Sequence, residues 1–589
     1  MINMGLGGSQ SFPHMVDSGL DRATDWHGSV TNPSQHSTPD KILSSLGTEK
    51  CRRFRNDIFD HHPILATDLA RDYLRISKEL DITSANQRLH DIHQQLVLGD
   101  LILSADREDI NSFCETKATK CTQLISKLQP TDAWTQSIKL LSTYKISPPD
   151  TQDDDLIPAL NRLSDKKWWQ RRVRQLQART IEKIARDIGL VQQSRSKYSS
   201  HIAISRRSQQ KYENQKYLES SYIVSDEGKE LTLWDVYQHT VSNPSVRRAE
   251  LMTRIKGFEV VADTHGHIGE FYTLTAPGHM HANFKRGIAN PKFTGESPAD
   301  IQAHLRKTFE LIRSKLGRLG INPYGFRVAE PHHDGTPHWH FLLFMPEEKR
   351  NIVRSIFSEY ALRISPDEKG ARTHRFQATA IDKTKGSAAG YIAKYIAKNI
   401  DGEFIKDDIN GGDAKESARN IDAWASTWGI RQFQQIGGPS VTVWRELRRL
   451  KEETESDFET ARKAADSADW AAFCFAMGGI STSIRNAAIK PEYEKPLEVD
   501  LETGEIFGEK KTAYGDVVKA KIIGLQSCHS KIRTRLRQWR KISQSSINTA
   551  NEELKMPTGD GNFFPSFDGI SRANQMAPWT WTCVNNCTL

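Results

Sequence analysis

The stretch Gly325–Phe344, GFRVAEPHHDGTPHWHFLLF, restricts the fold more than any other in this chain. Two apolar runs flank a loop holding Asp334-Gly335 and two prolines, Pro331 and Pro337, which is the pattern of a β-hairpin with a long turn. Side chains alternate along a strand, so His338 and His340 share one face and Trp339 takes the other. Glu330 ends the first strand across the mouth of the loop. Two imidazoles and a carboxylate converging at one end of a hairpin make a three-ligand metal site with open positions. A bare His-x-His pair is weak evidence, because such pairs are usually polar-face residues of a strand. Its weight comes from a second stretch.

That stretch is Tyr391–Lys398, YIAKYIAK, which reads as one short helix. Tyr391 and Tyr395 share a face, about 6 Å apart along the axis at ~1.5 Å rise per residue. Lys394 and Lys398 each follow a tyrosine by three positions and so lie close to it. Ile392 and Ile396 supply a stripe that can bury against a sheet. The same spacing builds an ordinary amphipathic helix. Two phenols beside two ammonium groups are an odd core, however, and a sensible pair of nucleophiles for an anionic phosphodiester. Lys394 is placed to stabilise charge or assist proton removal, and Lys398 to contact phosphate. A phenol with a pKa of ~10 must be activated and its target polarised, the second being a task for a divalent ion on Glu330, His338 and His340.

The chain has 589 residues, enough for three or four domains by the usual size prior. Residues 1–40 are rich in Gly, Ser, His, Pro and Asn and are expected to form a disordered tail. Residues 41–245 read as a mainly helical region. Its basic block Lys166–Arg174 offers Lys166, Lys167, Arg171, Arg172 and Arg174 to phosphates and Trp168 and Trp169 to bases. The competing reading puts the tryptophans in a core and the cations in water, and leaves this region to brace its neighbour. Arg206, Arg207, Lys211 and Lys216 form a second such patch.

A catalytic domain is expected over 246–455. It begins with a strand-like run Phe258–Ala262, a second at Phe271–Pro277, and a helix over 298–318 with Ile301, Leu305, Phe309, Ile312 and Leu316 on one face. The hairpin follows, then a helix over 347–364, a strand within Thr373–Ile381 and the tyrosine helix. The pair His265/His267 sits in a glycine-rich turn and is set aside as a decoy. Residues 456–589 form a mixed accessory region with a loose end. It includes a hairpin around Thr503-Gly504 and a basic helix over Lys531–Lys541; a basic-then-acidic helix over Val443–Glu453 precedes it. The whole is α+β, with helices backing an antiparallel sheet.

Net charge is +8, pI about 8.9 and mean hydropathy −0.59, mildly basic and compatible with a nucleic-acid partner. No apolar run approaches the ~18–20 residues of a membrane span, and no secretory signal is expected. Seven scattered cysteines suit a reducing compartment better than a disulfide framework, with Cys583 and Cys587 read as free thiols. No Gly-x-x-x-x-Gly-Lys-Ser/Thr run occurs, so no built-in helicase is expected.

His338-Trp339-His340 resembles the His-hydrophobic-His motif of HUH endonucleases, and Tyr391-x-x-x-Tyr395 resembles the paired nucleophiles of their rolling-circle initiators. The nearest likeness is to the bacteriophage replication gene A family, over roughly Phe258 to Ile400. The resemblance implies a ferredoxin/RRM-like core and a metal site, Mg2+ or Mn2+, on Glu330, His338 and His340. It implies nicking of single-stranded or locally melted origin DNA with a 5′-phosphotyrosine link and a free 3′-OH, then strand rejoining by alternate tyrosines. Host helicase and DNA polymerase would be partners, in the cytoplasm of a bacterial host. Other readings are an HUH relaxase or transposase of a mobile element, a zinc hydrolase with structural tyrosines, and a non-enzymatic origin-binding protein.

Overall fold

The computed structural model describes residues 39–43, 46–151, 155–284, 288–384, 386–402, 413–454, 456–482, 484–500 and 502–542. The expected tail, up to residue 38, and both C-terminal thiols lie outside the described residues. Two compact units divide the chain, Met1–His90 and Asp91–Leu589. In the first, the helices Glu49–His61 and Ala66–Glu79 bury Ile58, Phe59, Leu69 and Tyr73. Tyr73 satisfies its hydroxyl by donating to Asn86 Oδ1 at 2.7 Å.

The second unit is α+β. Its helical N-terminal part includes α1 (Lys166–Asp187), capped by the Asp165 side chain. Next comes α2 (Pro244–His265), with Asn243 at its N-cap, Pro244 in the first turn and Gly266 in the left-handed region at its end. This corrects the strand-like reading of Phe258–Ala262. Leu251, Ile255, Phe258, Val261 and Ala262 are buried at helical spacing, and a period of 3.6 over 22 residues outweighs a short β-prone run.

The sheet follows. Strand β1 (Ile268–Thr275) leads to α3 (Pro298–Arg318), which opens with a Ser297/Asp300 capping box and buries the expected apolar stripe. The hairpin β2 (Tyr324–Pro331) and β3 (Pro337–Met345) comes next, then α4 (Arg350–Ala361), β4 (Phe376–Ala380), α5 (Ala388–Ile400), α6 (Ala414–Trp428) and β5 (Phe433–Ile436). All pairings are antiparallel, in the order β4-β1-β3-β2-β5.

The sheet buries both faces. One carries Phe326, Val328, Leu342 and Phe344, in one core with α2 and with Ile392 and Ile396 of α5. The other carries Tyr272, Leu274, Trp339 and Phe341, in one core with α3, α4 and α6. Strand alternation therefore sends His338 and His340 to the α5 face and Trp339 to the other, where its Nε1 donates to Gln302 at 2.9 Å.

Beyond β5 the helix over Val441–Leu447 is shorter than the expected Val443–Glu453. The hairpin around Thr503-Gly504 is present, pairing Leu497–Val499 with Ile506–Glu509. Lys531–Lys541 is not a helix but two strands, Lys531–Arg533 and Trp539–Ile542, in different sheets. Cations alternate there with Ile532 and the buried Thr534, a period of two that the charge run obscured. Among the described residues no helix is long and apolar enough to cross a membrane.

Candidate active site

Hairpin register places Glu330 directly opposite His338, and Val328 opposite His340. The two histidines present Nε2 to Nε2 at 2.9 Å. Glu330 Oε2 lies 3.6 Å from His340 Nε2. Glu330 and His340 are 2% and 6% exposed, so none of this is a chance meeting of surface side chains. Thr273, opposite His340 on β1, puts its Oγ1 3.0 Å from His340 Nδ1. If that hydroxyl accepts the Nδ1 proton, the Nε2 lone pair is free to bind a cation. The enclosing protein, then the charges of His332, His340 and Lys398, push His338 well below the ordinary histidine pKa. It is therefore neutral near pH 7, the form that ligates. One ligand atom from each of Glu330, His338 and His340 lies within 4.8 Å of the others. Two imidazole nitrogens and one carboxylate fit manganese or zinc readily and magnesium less tightly.

The turn is held from several sides. Gly335 takes φ +79°, and Asp334 accepts from Thr336 N and Thr336 Oγ1, each at 3.0 Å. Asp334 also accepts from Ala282 N at 3.0 Å. Burial alone would raise the Asp334 pKa, but His281 and Arg186 hold it well below the carboxylate range. Arg186, on the last turn of α1, donates through Nε to the Asp334 carbonyl at 2.9 Å. His332 stacks on His338 with centroids 4.0 Å apart, and burial, then the His281 charge, push its pKa down to about 3.

Helix α5 delivers a phenol to this site. Its N-terminus is capped by Ser387, and Ala388 N donates to Glu259 Oε1 at 2.6 Å. At its other end Asp401 pairs with Arg248. Gly402 turns the chain at φ +69°, where a Cβ would lie 2.4 Å from the Ala414 carbonyl oxygen. The Tyr395 ring sits 4.3 Å from the His340 ring and stacks on Phe271 at 5.3 Å. Burial, then Glu330, raises the Tyr395 pKa, while Lys398 opposes them. Tyr391 is half-buried one turn away, and among the described residues no hydrogen bond or ring contact joins it to the triad.

The two lysines exchange the places expected of them. Lys394 is exposed. Lys398, read as a phosphate contact, is 3% exposed, 3.8 Å from Glu330 Oε2 and 5.1 Å from the Tyr198 ring centroid. At four residues' spacing the two lysines share a face; what separates them is position along the axis, Lys398 lying one turn further on, where Glu330 and Tyr198 cover it. Asn399, unnoticed in the sequence, donates to Glu330 Oε1 and, at 2.6 Å, to the Tyr395 carbonyl. Its position four past Tyr395 was a readable signal. Tyr198 and Gln432 come from distant segments and had none.

A family model for the bacteriophage replication gene A protein matches residues 90–403, from the N-terminal helices through α5. The chain belongs to the bacteriophage replication gene A protein family. It is 35% identical over 540 residues to the probable replication protein P12 of Pseudoalteromonas phage PM2, covering 88% of this chain and 80% of the relative. It is 37% identical to the replication gene A protein of Escherichia phage 186, covering 72% and 63%. A probable replication endonuclease from a prophage-like region of Salmonella paratyphi A is 30% identical, with 72% and 54% covered. The chain thus spans between about half and four-fifths of these relatives. No solved structure matches it significantly.

Within this gene A family member the flanking basic residues fall in two groups. Arg171, Arg172 and Arg174 are exposed on α1, Arg174 donating to Asn111 at 2.9 Å. Lys167 is exposed too, and Lys166 pairs with Glu115. Trp168 and Trp169 are 6% and 0% exposed, Trp169 donating to the Leu163 carbonyl, so both rings belong to the core. Arg206 and Arg207 hold Thr427 and Asp422 of α6. His265 and His267 stay apart from the triad: His265 stacks on Phe475, and His267 lies 3.1 Å from the Tyr324 hydroxyl.

Proposed function

We propose that this chain is a replication endonuclease that nicks origin DNA by tyrosine transesterification and so initiates rolling-circle replication. The observation that carries the reading is the Tyr395 ring lying 4.3 Å from His340, within a converging His338–His340–Glu330 set. Strand order supports an HUH-type, ferredoxin-like core. The elements run β1-α3-β2-β3-α4-β4, and the four strands stand in the sheet as 4-1-3-2.

Glu330, His338 and His340 would hold Mg2+ or Mn2+, which polarises a phosphoryl oxygen when bound. Tyr395 Oη attacks the phosphorus and the P–O3′ bond breaks. The phenol proton ends on the leaving 3′ oxygen, and the tyrosine keeps the 5′-phosphate as an ester. One ester is exchanged for another, so the step is reversible and needs no ATP. Burial favours the neutral phenol, so the Lys398 ammonium beside it is the group on this chain that eases its ionisation. Phe271 fixes the ring by stacking on both Tyr395 and His340. Tyr391, one turn along α5, serves as the second nucleophile that cuts the regenerated junction and allows circle closure. Single-stranded origin DNA is the substrate. Host helicase and polymerase act on the freed 3′ end, in the bacterial cytoplasm.

The test is incubation of the full chain with single-stranded fragments of the phage genome, with Mn2+ or with EDTA, followed by denaturing electrophoresis. A denaturation-resistant protein–DNA band that needs the ion is expected. Cleaved DNA with no protein attached would instead support the metal-hydrolase reading.

A further inference from the structure

We infer that Asn399 is a positioning residue that ties the nucleophile helix to the metal-binding carboxylate; this rests on the metal reading above. Its amide has two N–H donors, and both are used. One goes to Glu330 Oε1 and the other to the carbonyl of Tyr395, on the preceding turn. The same group therefore fixes the rotamer of an acidic ligand and the backbone of the residue whose phenol attacks. Its orientation is not free. Gln432 Nε2 lies 3.3 Å from Asn399 Oδ1 and 3.3 Å from the Asn399 carbonyl oxygen, donating to both. A flipped amide would put its oxygen against the Glu330 carboxylate and the Tyr395 carbonyl and its NH2 against the Gln432 donor, losing all three bonds. Asn399 is 1% exposed, so water does not replace what the amide gives.

Glu330 is thus anchored by one oxygen, with the other turned to the histidine pair. Asn399 takes Oε1, while Oε2 faces His340 at 3.6 Å and Lys398 at 3.8 Å. Removing the Asn399 donor frees one oxygen to rotate away from the histidine pair. Partners of this kind, one bond behind a ligand, typically contribute roughly 10- to 100-fold in metal affinity.

The experiment is Mn2+ binding to the full chain by calorimetry, without DNA, for wild type, Asn399→Leu, Gln432→Leu and His340→Ala. Thermal unfolding is measured in parallel. Asn399→Leu keeps the volume and removes the donors; its affinity is expected to fall roughly 10- to 100-fold. Cleavage by this variant should recover as Mn2+ is raised, which a general loss of structure would not allow. Gln432 is half-buried, and among the described residues its side chain reaches the site through Asn399. Its leucine variant should weaken binding severalfold, and it carries the test if Asn399→Leu does not fold. Asn399→Leu or Gln432→Leu binding Mn2+ as tightly as wild type, while His340→Ala binds none, would overturn the inference and leave the metal site standing. Wild type binding no better than His340→Ala would instead remove the metal site.

Discussion

Helices α1 and α5 are written in the same alphabet, aromatics beside cations on an amphipathic frame, and the fold uses them oppositely. In α5 the aromatic Tyr395 faces polar partners, the His340 ring and the Glu330–Asn399–Lys398 cluster. In α1 the aromatics go inward, Trp169 fully buried, while Arg171 and Arg172 point to solvent. What a mixed aromatic-basic helix does is set by the surface it packs on, which its own residues do not state. α1 still serves the site, but through Arg186, whose hold on the 334 turn positions the histidine strand.

The contrast can be broken at either helix or at the turn between their contacts. Removing a ligand should have the largest effect. His340→Ala is expected to lower cleavage by about 10^3-fold or more, several kcal/mol of transition-state stabilisation, in a chain that still folds. Near-normal cleavage in Mn2+ would detach α5 from any metal chemistry. Next, Trp169→Ala should destabilise the protein by about 3–5 kcal/mol. DNA affinity measured well below the melting temperature should stay unchanged, whereas a base-stacking tryptophan would do the reverse.

Acid stability tests the turn. The Asp334 pKa is lowered in the folded state relative to ~3.9 when unfolded. Its contribution is therefore fully present above about pH 4 and is lost as pH falls through the folded value. Asp334→Asn should flatten the acid limb of the stability curve below that pH. An unaltered limb would show that other groups dominate. The smallest effect concerns the arginines of α1. Arg171→Ala and Arg172→Ala should change stability by less than ~0.5 kcal/mol. If they touch single-stranded DNA, each should reduce the salt slope of binding by about 0.7 log units.

Much of the site was legible because strand and helix periods are strict. His338, His340 and Glu330 converge as alternation requires, and the Ile392/Ile396 stripe is buried as written. Readings failed where local composition outran period. Phe258–Ala262 looked like a strand only in a five-residue window, and Lys531–Lys541 looked like a helix only by charge. Lys394 and Lys398 share a helix face, so phase could not separate them; which turn of α5 is covered depends on Glu330 and Tyr198, brought there by tertiary packing. Tyr198 and Gln432 reach the site by tertiary packing, which no local pattern carries.

The central claim is that α5 delivers a phenol to the histidine pair. It is tested most directly by mass spectrometry of the peptide left covalently on DNA after cleavage by wild type, Tyr395→Phe and Tyr391→Phe. Phenylalanine keeps the ring and its stacking and removes only the attacking oxygen. The expected result is a nucleotide on Tyr395 in the wild type after the first cut. Tyr391→Phe should still form that adduct but fail to release closed circles, and the double variant should bind DNA without an adduct. An adduct on a tyrosine outside 391 and 395, or full circle release by both single variants, would contradict the account and leave α5 as packing.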